Sequence, residues 1–308
     1  MSKNLEGKVA VIAGGKDRAD RRSIAQFGTG EPDWTGQHKG EHMARFVLVH
    51  GGFSGAWIWL PLMDSLKAAG HLVEAFDLPG MGDDHTSASE VSLDSYAGRV
   101  CEALAANSEP AIVVGHSMGG IVATQGAARC PERVAALVYV AAFLPKDGQS
   151  LLDLTKLPEC DGEQVLANVV VEGEPPVAVM PTAASRLALY GSCAEDVAAW
   201  AIARQCPQPV SPLPMPVFLP PGALNRINRY YVLCTRDRVI PPPLQRRMVA
   251  ENPCAGFVEL DTDHMPHLST TNELAKALHR FATHSSAVAG WLAERKGRAD
   301  FGKVVLFD

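Results

Sequence analysis

Apolar residues along this chain fall into short unbroken runs separated by amphipathic stretches. RFVLVH at 45–50 is a β-rich run that ends on Gly51-Gly52, and LPLMDSLKAAG follows with helical spacing and stops at Gly70. LVEAFDLPG is a strand running into a Pro-Gly turn. Residues 92–107 place Leu93, Tyr96, Val100 and Leu104 at helical intervals. AIVVG at 111–115 and VAALVYVAAF at 134–143 are almost wholly apolar, as strands covered on both faces must be. Between them a helix is predicted from just after Ser117 towards Cys130, with Pro131 beyond it. Strands alternating with helices imply right-handed βαβ units and a parallel sheet.

The alternation breaks over residues 145–228, which hold most of the prolines and no convincing buried strand. AEDVAAWAIARQC at 194–206 has amphipathic helical spacing, so a helical cap inserted over the sheet is the simplest reading. The alternation returns with RYYVLCT at 229–235, a helix through QRRMVA, GFVEL at 256–260 and a helix over 271–285. The expected organisation is a core of residues 44–144 and 229–287, a cap of 145–228, and appended segments at 1–43 and 288–308.

Composition narrows the function classes. The 308 residues are 47% hydrophobic and suffice for one substantial core. A formal net charge of -6 argues against a nucleic-acid partner, which would favour a basic face. Seven scattered cysteines without C-x-x-C spacing predict reduced, mostly buried thiols rather than a disulfide framework or a zinc site. The opening segment has only a short apolar run, Val9 to Ala13, so no secretory signal is expected. No stretch approaches the roughly 20 apolar residues of a membrane helix. A cytoplasmic protein without membrane, metal or cofactor is the resulting expectation.

The strongest chemical signal is Gly115-His116-Ser117-Met118-Gly119-Gly120, a G-x-S-x-G placed between a buried strand and a helix. A nucleophilic serine there sits on a sharp strand-to-helix turn, and glycines two residues to either side remove side chains that would collide. The helix N-terminus behind Ser117 favours negative charge at the reacting oxygen. Acyl transfer also needs two backbone N–H groups aimed at the oxyanion. One is expected from Met118, the other from Gly52 in the loop His50-Gly51-Gly52-Phe53.

A base and an orienting acid should follow in chain order. Asp237, in Thr235-Arg236-Asp237-Arg238, lies just past one strand, and His264, in Asp261-Thr262-Asp263-His264-Met265, just past the next. Carboxyl ends of strands are where catalytic groups gather in open α/β sheets. Asp237 is therefore expected to orient His264, and His264 to deprotonate Ser117. His116, inside the turn, should point away from the hydroxyl. His267 could line the pocket or start a helix, His50 suits a structural part, and Asp261 and Asp263 stand too close to His264 in sequence to orient it. Phe53, Trp57, Phe143, Leu144 and Met265 are the candidate substrate contacts and suggest a hydrophobic acyl or alcohol group.

From Phe46 to about Phe281 the chain resembles the plant methylesterase and hydroxynitrile lyase group of α/β-hydrolases, with bacterial esterase relatives that include pyrethroid-type ester hydrolases. The matching stretches are FVLVHGGFSGAWIW, AAGHLVEAFDLPGMG, VVGHSMGG, VYVAAFLP, LYGSC, CTRDRVIPP and ELDTDHMPHL, in order. The resemblance implies an α/β-hydrolase fold, a mainly parallel doubly wound sheet with an inserted helical cap, and the Ser-Asp-His triad. Lyases of the group carry a lysine beside the catalytic histidine, where this chain has Met265. An apolar side chain cannot stabilise a departing anion. A carboxylesterase acting on a small-molecule ester is favoured over a lyase or a non-catalytic binding protein.

The ends fall outside the resemblance. LEGKVAVIAGG at 5–15 looks like the opening of a short-chain dehydrogenase, but the next glycine after Gly15 is Gly28, so no dinucleotide site is expected. GRADFGKVVLFD at 297–308 faintly resembles the closing strand of quinone-reductase-like proteins. Extra strands, packing of the ends on each other, and self-association as a homodimer all stay open.

Overall fold

A computed structural model describes residues 43–284; the expected appended segments at 1–43, save residue 43, and at 288–308 lie outside the described residues, as do residues 285–287 of the expected core. Six strands form one sheet: β1 (Arg45–Val49), β2 (Leu72–Ala75), β3 (Ala111–Ser117), β4 (Val134–Ala142), β8 (Asn228–Cys234) and β9 (Gly256–Leu260). Their order is β2-β1-β3-β4-β8-β9, and every pairing is parallel. The apolar runs explain who sits in the middle. Every residue of β1, β3 and β4 is buried, whereas the edge strands β2 and β9 are part exposed. Each fully buried Val or Leu of β1 and β3 contributes roughly 1.5–3 kcal/mol.

The helices follow the sequence reading closely. Leu60–Ala68 (α1), Leu93–Ala105 (α2), Gly119–Arg129 (α3), Pro242–Glu251 (α7), Pro266–Ser269 (α8) and Thr271–His284 (α9) flank the sheet. Helix α1 packs against α9 and α2 against α3. Helix α2 opens on a reciprocal cap in which Ser92 Oγ accepts from Ser95 N–H and Ser95 Oγ from Ser92 N–H, both at 3.0 Å. Among the described residues no side chain caps α3, whose N-terminus directly follows Ser117.

This order creates the crevice that matters. From β1 the chain steps outward to β2, then returns to place β3 on the other side of β1. Ligands in open α/β sheets bind at the carboxyl ends of strands where the winding reverses, here between β1 and β3. Gly51-Gly52 leaves the end of β1 and Ser117 ends β3.

Two expectations need correction. The insertion is not purely helical: α4 (Leu151–Thr155), α5 (Thr182–Ala188) and α6 (Glu195–Ile202) accompany β5 (Val170–Glu172), β6 (Val177–Val179) and β7 (Gln208–Pro209). These strands form a small antiparallel sheet in the order β5-β6-β7. They run three residues or fewer, and β5 is exposed throughout, so no buried apolar run announced them. The thiols are not all free either: Cys101 on α2 and Cys130 at the end of α3 form a disulfide. Among the described residues no helix is long and apolar enough to cross a membrane.

Candidate active site

Ser117 occupies the turn at φ 55, a left-handed backbone that a non-glycine residue adopts at a cost of about 1–3 kcal/mol. Its surroundings impose the turn. A Cβ on Gly115 would meet the Gly119 carbonyl oxygen at 2.5 Å, and one on Gly120 the Phe143 oxygen at 2.3 Å. Both are backbone atoms, so only glycine lets β3 reverse into α3 at this pitch. Below the turn, Thr124 Oγ1 donates to the Gly120 carbonyl at 2.7 Å and so accepts from the Tyr139 hydroxyl at 2.7 Å. Phe143 N–H donates to the Ser117 carbonyl at 3.2 Å and ties β4 to the elbow.

Asp237 and His264 come from the loops after β8 and β9. His264 Nδ1 donates to Asp237 Oδ2 at 2.9 Å, with both side chains essentially out of solvent. Asp237 Oδ1 accepts from Val239 N–H at 2.7 Å and Ile240 N–H at 3.0 Å, and Oδ2 from Gln245 Nε2 at 3.2 Å. Four donors on one buried carboxylate satisfy a charge that would otherwise be costly to bury. Because Asp237 only accepts, the proton of neutral His264 sits on Nδ1 and the lone pair on Nε2. Ser117 and His264 line one cavity at the carboxyl end of the sheet.

Further histidines support that arrangement. His116 Nε2 donates to the His264 carbonyl at 2.8 Å, so it anchors the loop carrying His264. Burial, with His267 and His264 nearby, holds its pKa well below the usual histidine range. His267 lies buried in α8 against Trp59 and His116, and burial lowers its pKa to about 3. His50 takes a structural part: Nδ1 donates to the Gly51 carbonyl at 2.8 Å and Nε2 accepts from Leu78 N–H at 3.0 Å. Asp77 Oδ1 accepts from Ala56 N–H at 2.6 Å and holds the far end of the same loop.

The two remaining acids take no part in orienting His264. Asp261 is exposed and pairs with Arg236. Asp263 Oδ1 accepts from Met265 N–H at 3.3 Å, and Oδ2 accepts from Ser192 N–H in the cap. It thus links the His264 loop to the cap, and burial raises its carboxyl pKa.

Gly52, Met118, Phe53, Phe143 and Met265 all line the cavity with Ser117 and His264. Trp57 and Leu144 do not. Trp57 packs edge-on against Trp200 of α6 at 5.3 Å between ring centres. Leu144 is buried in the core, where its N–H faces Met248 Sδ at 3.3 Å. Much of the outer wall comes instead from cap residues that sequence reasoning missed, among them Leu151, Leu166, Leu189 and Gln208. They lie in Pro-rich chain without periodicity, so no hydrophobic pattern could single them out. Glu163 also reaches this wall, but its carboxylate accepts from Val165 and Leu166 N–H at 2.7 Å each and closes a turn of the cap.

Residues 46–277 match the sequence profile of the alpha/beta hydrolase family. Methylesterase 7 of Arabidopsis thaliana is 32% identical over 258 residues, which cover 77% of this chain and 96% of that protein. The crystal structure of polyneuridine aldehyde esterase superposes with a TM-score of 0.70 at 25% identity, over 78% of this chain and 99% of that one. A pyrethroid hydrolase from Sphingobium faniae JZ-2 superposes equally well, with TM-score 0.70 and 25% identity over 79% of this chain and 98% of that one. These similarities bear out the resemblance of the sequence motifs to plant methylesterases and bacterial pyrethroid-type ester hydrolases.

Proposed function

The chain belongs to the alpha/beta hydrolase family and is a serine hydrolase of the esterase type, and on that premise we propose that it cleaves a hydrophobic small-molecule carboxylic ester through an acyl-enzyme on Ser117. The observation that carries this reading is the buried Asp237–His264 hydrogen bond of 2.9 Å beside a cavity that Ser117 also lines.

The steps follow from the residues. His264 Nε2 takes the Ser117 hydroxyl proton as Oγ attacks the ester carbonyl. The N–H groups of Gly52 and Met118 stabilise the tetrahedral oxyanion, each worth about 3–4 kcal/mol in such sites. Protonated His264, balanced by Asp237, gives its proton to the leaving alkoxide and the acyl-enzyme forms. Water, deprotonated by His264, then releases the carboxylic acid and restores Ser117. The free space in the cavity is about 80 Å³. Its lining is mainly apolar, with Phe53, Phe143, Leu151, Leu189 and Leu213 around Ser117, which suits a hydrophobic acyl or alcohol group. Met265, 1% exposed in the cavity wall, offers no cation for a leaving cyanide, which disfavours the lyase alternative.

The test is ester turnover by Ser117→Ala. Hydrolysis of a chromogenic short-chain ester should fall to the small residue that binding and the oxyanion donors sustain, at least about 1000-fold below the parent. Near-normal turnover would refute the nucleophile.

A further inference from the structure

Gln208 is a buried polar group that the proposed chemistry leaves unused. It lies on β7, only 2% exposed, and lines the cavity. Its Nε2 donates to the Pro209 carbonyl at 2.8 Å and to the Tyr96 hydroxyl at 3.3 Å. A carbonyl oxygen can only accept, so the Pro209 contact fixes which end of the amide is nitrogen. The other end, Oε1, has no hydrogen-bond partner among the described residues. It sits 3.4 Å from the point a Cβ on Gly52 would occupy. The side chain is therefore anchored at its nitrogen and presents a bare acceptor beside the loop that receives the carbonyl oxygen. Buried acceptors are rarely left bare, and those that are call for an explanation.

We propose that Gln208 Oε1 accepts a hydrogen bond from the substrate, so that the preferred esters carry a hydroxyl or N–H donor on the acyl chain one or two carbons from the carbonyl. The assignment rests on the esterase reading, because it is Gly52, the proposed oxyanion donor, that sets the carbonyl beside Gln208. An otherwise apolar wall with one fixed acceptor selects by the penalty of leaving that acceptor bare. An ester without the donor still binds and still reaches Ser117, but Oε1 stays unsatisfied when the pocket closes around it.

The experiment compares matched esters by titrating released acid at constant pH: methyl butanoate, each enantiomer of methyl 2-hydroxybutanoate and methyl 3-hydroxybutanoate, and their O-methyl ethers. The ethers keep the inductive effect of oxygen and lose the donor. At least one hydroxy ester should exceed both its ether and methyl butanoate in kcat/KM by about 10-fold or more. In Gln208→Met, which keeps chain length and removes the acceptor, that ratio should collapse towards 1 through loss on the hydroxy ester. Ratios measured within one preparation do not depend on the folded fraction, so partial misfolding of the variant cannot imitate the result. A wild-type ratio near 1 for every pair, or a preference that survives Gln208→Met, would overturn the assignment. In those cases methyl butanoate turnover that disappears in Ser117→Ala would leave the esterase reading standing. Absence of turnover on every ester would overturn both.

Discussion

Gly119→Ala tests whether backbone packing, rather than the serine alone, builds the elbow. A Cβ at Gly119 would sit 2.5 Å from the Val49 carbonyl oxygen and 2.7 Å from that of His50. Ordinary contact starts near 3.4 Å, so the start of α3 or the end of β1 must shift by about 0.9 Å to relieve the first overlap. Neither obstacle is a flexible side-chain end. Overpacking of this kind costs about 2 kcal/mol, which for a domain of this size lowers Tm by about 4–8 °C. The same shift displaces Ser117 against the Gly52 loop, and a misplacement near 1 Å costs about 100-fold in rate. Gly98→Ala is the matched control. Gly98 lies inside α2 with nothing within 4 Å of its would-be Cβ. Removing a glycine from a helix interior should stabilise by about 0.5–1 kcal/mol. Thermal melts followed by circular dichroism, with kcat at saturating ester, read both effects. A Gly119→Ala protein with parental Tm and kcat would refute the steric account, as would a Gly98→Ala protein destabilised as much as Gly119→Ala.

Three further outcomes follow. Asp237→Asn keeps an acceptor for Val239 and Ile240 N–H but turns an amide NH2 towards His264, favouring the wrong tautomer. Its kcat should fall by about 10⁴-fold, and a loss under tenfold would contradict the orienting role. The disulfide closes a 29-residue separation, so breaking it should cost about 3–4 kcal/mol in urea unfolding. Denatured, unreduced protein should correspondingly titrate five thiols, and seven would contradict the pairing. Finally, burial lowers the pKa of His71 to about 4 and of His267 to about 3. Between those values and the unfolded value near 6.5, the unfolded chain binds the extra protons. The share of stability held by these two rings is therefore complete well above pH 6.5 and should fall by about 2.7 kcal/mol per pH unit as pH drops towards 4, with the likewise depressed His116 and His50 steepening the fall. Urea midpoints that stay flat from pH 7 to 5 would refute neutral burial of these rings.

The sheet was legible in the sequence because its central strands are covered on both faces. AIVVG and VAALVYVAA have no polar interruption, and every residue of both is buried. Ser117 was legible because its turn needs Gly115 and Gly119, and Asp237 and His264 because each follows an apolar strand at its carboxyl end. Side-chain direction was not legible. Trp57 and Leu144 are as apolar as Phe53 and Phe143, but one turns to Trp200 and the other into the core. Cys101 and Cys130 meet only because α2 packs on α3, a tertiary fact that a spacing of 29 residues does not encode. Gln208 stands between Pro207 and Pro209 in a segment without periodicity, and only the folded cap brings it beside Gly52.

The central claim is that Ser117, activated by His264, forms the covalent intermediate. Its most direct measurement is peptide mapping by mass spectrometry after reaction with a serine-directed organophosphonate. The account predicts one adduct, on Ser117, formed in step with loss of ester hydrolysis and slowed by at least about 100-fold in His264→Ala. An adduct on another residue, or full inhibition with Ser117 unmodified, would contradict it.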